Sequence, residues 1–422
     1  MNEKEVFGMA LGLKGTPWYV AQIEFDVEGK TLEITLDFAP GSTFAHPRTG
    51  NLAPVYDSEP RKWRHLNFFQ FRCEIHAFVP RVDGGQQGGG VARVEVPWAR
   101  PHSGFTLLME SCMVLLAQSG MTAAEVSRMV GEYAQRMWTV LHHHVKRAHE
   151  QMDVSQVKTL SVDEVSKRRG HDYLTVLSEP KSAGQPSRVL FVTEGKDAEA
   201  VGRAGAFLER RGVPASQIEN VCLDMSAAFR LGVRQTFQNA AMVFDCFHVV
   251  GMAQRALDQV RRRERAAFPE ELHGKRWLIL KSYEKLSPGE QAERDQLCRG
   301  KLQTGKACNQ VDALREILQE DDLELAKDLL AWWCGWVGRS RIPEMKKVAR
   351  SVREHWDGIV AYLQTRITNG AAEALNGIIQ TVKRKSRGFR SFEYFRTMIY
   401  LVASKLTFDL PQPFPSTHTK SH

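Results

Sequence analysis

Residues 367–390 read ITNGAAEALNGIIQTVKRKSRGFR, and the rest of the chain is best understood outward from this stretch. Thr368-Asn369-Gly370 is a turn signal that can open a helix. Apolar or small residues at Ala371, Leu375, Ile378, Ile379 and Val382 then recur at the spacing of one helical face. The other face carries Glu373, Asn376, Gln380 and Lys383, one acid followed by two amides and a base. Five cations close the stretch: Lys383, Arg384, Lys385, Arg387 and Arg390. A single carboxylate on a polar stripe that runs into a basic tail suits a site facing a phosphate backbone. A solvated amphipathic helix has the same pattern, so the meaning of Glu373 depends on carboxylate partners upstream.

The chain has 422 residues, enough for two or three domains with cores of their own. Its 57 Lys+Arg exceed its 49 Asp+Glu, and the net charge of +8 favours a polyanionic partner. The seven cysteines are scattered and never form CxxC, which argues against a disulfide framework and a thiolate zinc site. No basic-then-apolar leader opens the sequence, and no apolar run approaches the roughly 20 residues that span a bilayer. A cytoplasmic protein without membrane contact is the expectation.

In residues 1–100, alternation at Ile23, Phe25 and Val27, and again at Leu32, Ile34, Leu36 and Phe38, predicts a β-hairpin. A further alternating run, Phe69 to Ala77, should end at Pro80. The glycine-rich stretch at 83–90 lacks the GK[ST] of a phosphate cradle and reads as a flexible hairpin loop. In residues 101–152, two helices meet near Gly131, with Thr122 as N-cap of the first, in the manner of a helix-turn-helix. The second would present Gln135, Arg136, Thr139, His142 and Lys146 to a DNA groove; an ordinary helical bundle is the alternative. Consecutive His142-His143-His144 point in different directions and make a poor metal site.

Residues 153–250 predict the order βββαβαβ. Asp163 lies on the first strand, within 159–164, and Asp224 ends the fourth, 218–223. The fifth, 241–244, ends in Asp245-Cys246-Phe247-His248. Residues 251–362 read as helices nearly throughout, with one predicted over 314–336. Trp332, Trp333 and Trp336 are either core or a stacking surface for an unpaired base.

The segments VDEVSKRRGHDYLTV, CLDMSAAF, FDCFHVV and TNGAAEALNGIIQTVKRKSRGF, together with WRHL at 63–66 and PWARP at 97–101, resemble the ISL3 insertion-sequence transposases. The resemblance spans about residues 45–405. It implies an α+β multidomain chain, with a small β module (1–100), a helix-turn-helix (101–152), and an RNase H-like core (153–250 and 363–406). An all-α insertion (251–362) would interrupt that core, and a flexible tail (407–422) would follow it. It also implies that Asp163, Asp224 and Glu373 are the catalytic, metal-binding acids. Asp245 and His248 match a DxxH pattern and would support the site, with Asn376, from behind the ligands. Glu164 and Glu194 rank below that trio. Mg²⁺ or Mn²⁺ suits such carboxylates, because hard cations prefer oxygen donors.

Family members carry a zinc ribbon of paired cysteines near the N-terminus. Here those places read His46-Pro47-Arg48-Thr49-Gly50 and Asp83-Gly84-Gly85-Gln86, so no structural zinc is expected. The function implied is a transposase that binds terminal inverted repeats of double-stranded DNA, cleaves them and joins them to target DNA. It would act as a homodimer or higher oligomer. A catalytically inactive or domesticated DNA-binding protein, or an RNase H-like nuclease without strand transfer, are the alternatives.

Overall fold

The computed structural model describes residues 2–85, 89–168, 170, 172–181 and 186–414. The end of the expected flexible tail (415–422), Arg169, and Gln86 to Gly88 of the glycine-rich stretch lie outside them. The chain divides into two units, residues 1–150 with 406–422, and residues 151–405.

The first unit opens with a helix, α1 (Glu3–Ala10), capped by Asn2. Six strands follow: β1 (Trp18–Asp26), β2 (Thr31–Phe38), β3 (Thr43–Ala45), β4 (Leu52–Arg64), β5 (Arg72–Asp83) and β6 (Val91–Arg93). They form one sheet in the order β1-β2-β5-β4-β3, with β6 added to β5. The predicted hairpin is β1 and β2, paired antiparallel. Trp18, Trp63 and Trp98 meet edge to face in the core of this sheet, with centroid distances of 4.9 and 5.5 Å.

One expectation fails here, and one strand was not anticipated. Pro80 does not end its strand, because it sits where pairing with β2 has stopped at Ala77 and pairing with β6 has not begun before Arg81. Its missing N–H therefore costs no ladder bond. The long strand β4 carries Pro54 and Pro60, which mask its pattern in the sequence; beyond the three residues that pair with β3 it is an edge strand that tolerates proline.

Three helices follow: α2 (Leu107–Gln118), α3 (Ala123–Val130) and α4 (Ala134–Gln151). Thr122 and Glu125 form a capping box at the start of α3. The helix ends on Gly131, whose φ of +70° supplies the left-handed turn that admits α4. Ser127 and Met137 are both buried at this crossing. Beneath it, buried Glu110 accepts hydrogen bonds from Arg100, Ser103 and His144.

The second unit is built on a five-stranded sheet: β7 (Thr159–Ser166), β8 (Tyr173–Glu179), β9 (Arg188–Glu194), β10 (Asn220–Leu223) and β11 (Ala241–Phe244), in the order β11-β10-β7-β8-β9. β8 runs antiparallel to β7 and β9, while β7, β10 and β11 are parallel. Helices α5 (Ala198–Arg210) and α6 (Ala227–Thr236) connect the later strands. β8 is almost wholly buried, as expected of a strand covered on both faces.

From β11 the chain enters a helical region: α7 (Cys246–Arg265), α8 (Pro269–Leu272), α9 (Arg276–Leu280), α10 (Pro288–Arg299), α11 (Gln303–Gln319), α12 (Leu323–Arg339), α13 (Pro343–Glu354) and α14 (Trp356–Thr365). The single helix expected over 314–336 is two, because Asp322 caps a new helix by accepting from the amides of Glu324 and Leu325. The chain then returns to the sheet as α15 (Gly370–Lys385), which packs on β7, and α16 (Phe392–Ala403), which packs on β9. The buried stripe of α15 is Ala372, Leu375, Ile379 and Val382; Ile378 is exposed. Among the described residues no helix is long and apolar enough to cross a membrane, and all seven cysteines are free of disulfides.

Candidate active site

Strand register gathers the acids. In the parallel ladder Val162 pairs with Leu223, and Leu223 pairs with Phe244. The next residue on each of these three adjacent strands is an aspartate: Asp163, Asp224 and Asp245. Neighbouring parallel strands lie about 4.8 Å apart, so the three aspartates form a row across the sheet, Asp163 within β7 and the other two just past the carboxyl ends of β10 and β11. Crevices outside the carboxyl ends of such strands are where open α/β sheets bind ligands.

Each aspartate is fixed by backbone amides or nearby side chains. Asp163 accepts from the Glu164 amide at 2.8 Å, and its second oxygen accepts from the side-chain amides of Asn376 (2.7 Å) and Asn369 (3.3 Å). Asp224 accepts from the Ser226 amide at 2.9 Å. Asp245 is fully buried; it caps α7 through the Phe247 amide and lies 3.3 Å from Nδ1 of His248. Burial, and next the negative charge of Asp224, push the Asp163 carboxyl up to about 6, against the pull of the Glu164 amide and His248. The hydrogen bond to Asp245 raises the pKa of His248, as do the charges of Asp245, Asp224 and Asp163.

Helix α15 brings the fourth carboxylate. Glu373, in its first turn, is exposed, and its ligand atom lies within 4.8 Å of those of Asp245 and His248. Asn369, Asn376, Gln380 and Lys383 lie along the side of α15 that meets β7, since Gln380 and Lys383 both donate to the Ser166 carbonyl. Lys383 is thereby turned inward and its pKa lowered by burial, whereas Arg384, Lys385, Arg387 and Arg390 are exposed. Glu164 and Glu194 are engaged elsewhere, with Lys196 and Lys167 respectively.

Asn369 escaped the sequence reading, where it served only as part of a turn. The signal was present in the spacing: positions 369 and 376 are seven residues apart, two helical turns on one side. The side-chain oxygens of both asparagines are buried without a hydrogen-bond partner. Among the described residues the ligand atoms close enough to share one cation are those of Asp245, His248 and Glu373, with Asp224 and Asp163 at the next register positions; two carboxylates and an imidazole fit a divalent cation. Such a cation would also relieve the repulsion that raises Asp163.

On α4, Gln135, Thr139, His142 and Lys146 are exposed. Arg136 is only half-exposed: it pairs with Glu132 and lies 4.1 Å over the ring of Phe105.

A core with an acidic row, joined in one chain to a helix-turn-helix, is the plan of a DNA-processing enzyme, and comparison with known proteins gives its class. Residues 94–145 match the helix-turn-helix domain of transposase family ISL3, and residues 160–399 match the DDE family of ISL3, described as transposase. The transposase for insertion sequence element IS1557 of Mycobacterium tuberculosis is 27% identical over 380 residues, which cover 82% of each chain. The transposase for insertion sequence element IS1001 of Bordetella parapertussis is 26% identical over 382 residues, 87% of this chain and 90% of its own. The chain is thus a transposase with a DNA-binding helix-turn-helix domain. It belongs to the ISL3 family.

Proposed function

We propose that this transposase binds the terminal inverted repeats of its element through α3 and α4, and cuts and joins DNA at the acidic row. The observation that supports the reading is the register Val162–Leu223–Phe244, which Asp163, Asp224 and Asp245 follow, together with the approach of Glu373 to Asp245 and His248 within 4.8 Å. Asp163, Asp224 and Glu373 are the residues assigned to hold divalent ions, Mg²⁺ or Mn²⁺. Asp245, buried and tied to His248, orients that imidazole beside Glu373. Bound there, the ions would activate a nucleophile and stabilise the leaving oxygen of a phosphodiester.

The protein's own groups do the remaining work. Asn369 and Asn376 hold one oxygen of Asp163 and so aim the other half of the carboxylate. Arg384, Lys385, Arg387 and Arg390 continue α15 and its following turn as a grip for phosphates close to the site. The reaction is two substitutions at phosphorus: water frees a 3′-hydroxyl at the element end, and that hydroxyl then attacks target DNA. No covalent protein–DNA intermediate is involved, and both ends are handled together by a dimer or larger assembly.

The strand order and the single antiparallel strand β8 support an RNase H-like core made of residues 153–250 and 363–406, with 251–362 inserted. Residues 1–100 are its β module, 101–152 its helix-turn-helix, and 407–422 its tail. A labelled element end incubated with the protein, Mg²⁺ and target plasmid tests the reading. Cut ends with free 3′-hydroxyls and joined products are expected. Cutting without joining would instead indicate a nuclease, and binding without cutting an inactive DNA-binding protein.

A further inference from the structure

The helical region holds a cavity away from the acidic row in sequence and element. A cavity of about 550 Å³ opens between the start of α11 and the end of α12, within the size range of small-ligand pockets. Lys301, Lys306, Arg339 and Arg341 line it, and no carboxylate does. None of these four cations is held in an ion pair among the described residues, unlike Arg263 nearby, which pairs with Glu344. An unpaired cluster of like charge is stable only where water or an anion meets it.

Two further atoms point to an occupant. Gln310 is only 2% exposed, and its side-chain oxygen has no hydrogen-bond partner. Ser340 likewise has a buried hydroxyl with none. Both residues line the cavity. Buried polar atoms without partners are rare, because each costs the desolvation it is not repaid for. The hydroxyl can donate to a phosphate oxygen, and the amide oxygen can accept from an N–H of a base.

The wall also offers an aromatic face. Trp336 lines the cavity, and Trp332, one turn earlier on α12, stacks on it with centroids 5.2 Å apart and planes 25° from parallel. Trp332 is 55% exposed, although Trp333 beside it is completely buried. Core packing accounts for Trp333 and for the inner side of the half-buried Trp336, and leaves the exposed ring of Trp332 stacked on Trp336 unexplained.

We infer that this cavity binds a single-stranded DNA segment, with phosphates on the four cations and an unpaired base stacked on the Trp332–Trp336 pair. A paired base keeps its faces in the duplex stack and cannot use the tryptophans, so the site discriminates against duplex. The inference requires neither the acids nor their ions.

The test uses the full chain in EDTA, with fluorescein-labelled 15-mer oligo(dT) and a 15-base-pair duplex of unrelated sequence read by anisotropy. Trp332→Ala should weaken binding of the single strand about tenfold, leave the duplex unchanged, and be rescued by Trp332→Phe. Arg339→Gln combined with Arg341→Gln should lower the salt slope for the single strand by about 1.4, the value for two phosphates no longer neutralised. Parental single-strand affinity in Trp332→Ala, or an equal loss on both probes, would overturn the inference.

Discussion

The side-chain amide of Asn376 donates to Asp163 at 2.7 Å across the packing of α15 on β7. One hydrogen bond thus ties the helix that carries Glu373 to the strand that carries the first aspartate, although 213 residues separate them in sequence. The helix cannot slide along β7 without releasing that oxygen, so the bond sets where Glu373 arrives.

The first prediction concerns that tie. Asn376→Ala should raise the Mn²⁺ concentration needed for half-maximal cleavage by about 10- to 100-fold, the usual effect of losing a partner behind a metal ligand. Asn369→Ala, which removes the longer bond, should have a smaller effect in the same direction. Mn²⁺ binding followed by electron paramagnetic resonance, with no DNA present, checks the affinity apart from turnover.

A second prediction concerns Gly358. A β-carbon built there would collide with Cγ, Cδ2 and Cε2 of Phe244, the residue that precedes Asp245. Gly358→Ala should therefore overpack the junction of α14 and β11, costing about 1–3 kcal/mol and displacing Asp245. Thermal unfolding reports the first effect and cleavage the second; an unchanged melting temperature would contradict the close approach.

Helix α4 separates DNA binding from structural support. Lys146→Ala should lower the salt dependence of end binding by about 0.9 for each phosphate that the side chain neutralises, with no change in stability. Arg136→Ala should instead destabilise the unit, since Arg136 is stacked on Phe105 and paired with Glu132. Comparing melting temperature with end affinity for the two variants distinguishes these roles.

The buried Glu110 gives the helix-turn-helix an acid limit. Burial pushes its carboxyl up, but hydrogen bonds from His144 and Ser103 and the charge of Arg100 outweigh that and hold it below the usual glutamate range. A lowered folded pKa contributes stability that is full above the unfolded value and is lost as pH falls through the folded one. Glu110→Ala should cost on the order of 3–5 kcal/mol near neutrality and flatten the acid side of the stability curve. Denaturant titrations from pH 7 down to 3 measure both.

Much of this was legible in the chain because the signals were local. Asp163 on a strand, Asp224 and Asp245 at strand ends, and the capped helix around Glu373 each follow from a few neighbouring residues. Other features depend on partners far away in sequence. That Asp245 stands in the same row as the other two aspartates is a property of register, which no single strand contains. Pro54 and Pro60 hid β4 because proline usually interrupts a strand pattern, although Pro60 sits where β4 has a free edge. The turn signal at 368–370 accounted for Asn369 so fully that its bond to Asp163 went unseen. Trp332, Trp333 and Trp336 looked alike until burial divided them.

The most direct test of the central claim is cleavage of a labelled element end by Glu373→Gln in Mg²⁺ and in Mn²⁺. The account predicts end binding close to that of the parent protein and no cleavage in either metal. Cleavage at the parental rate would contradict it, because Glu373 would then stand beside Asp245 and His248 without completing the site.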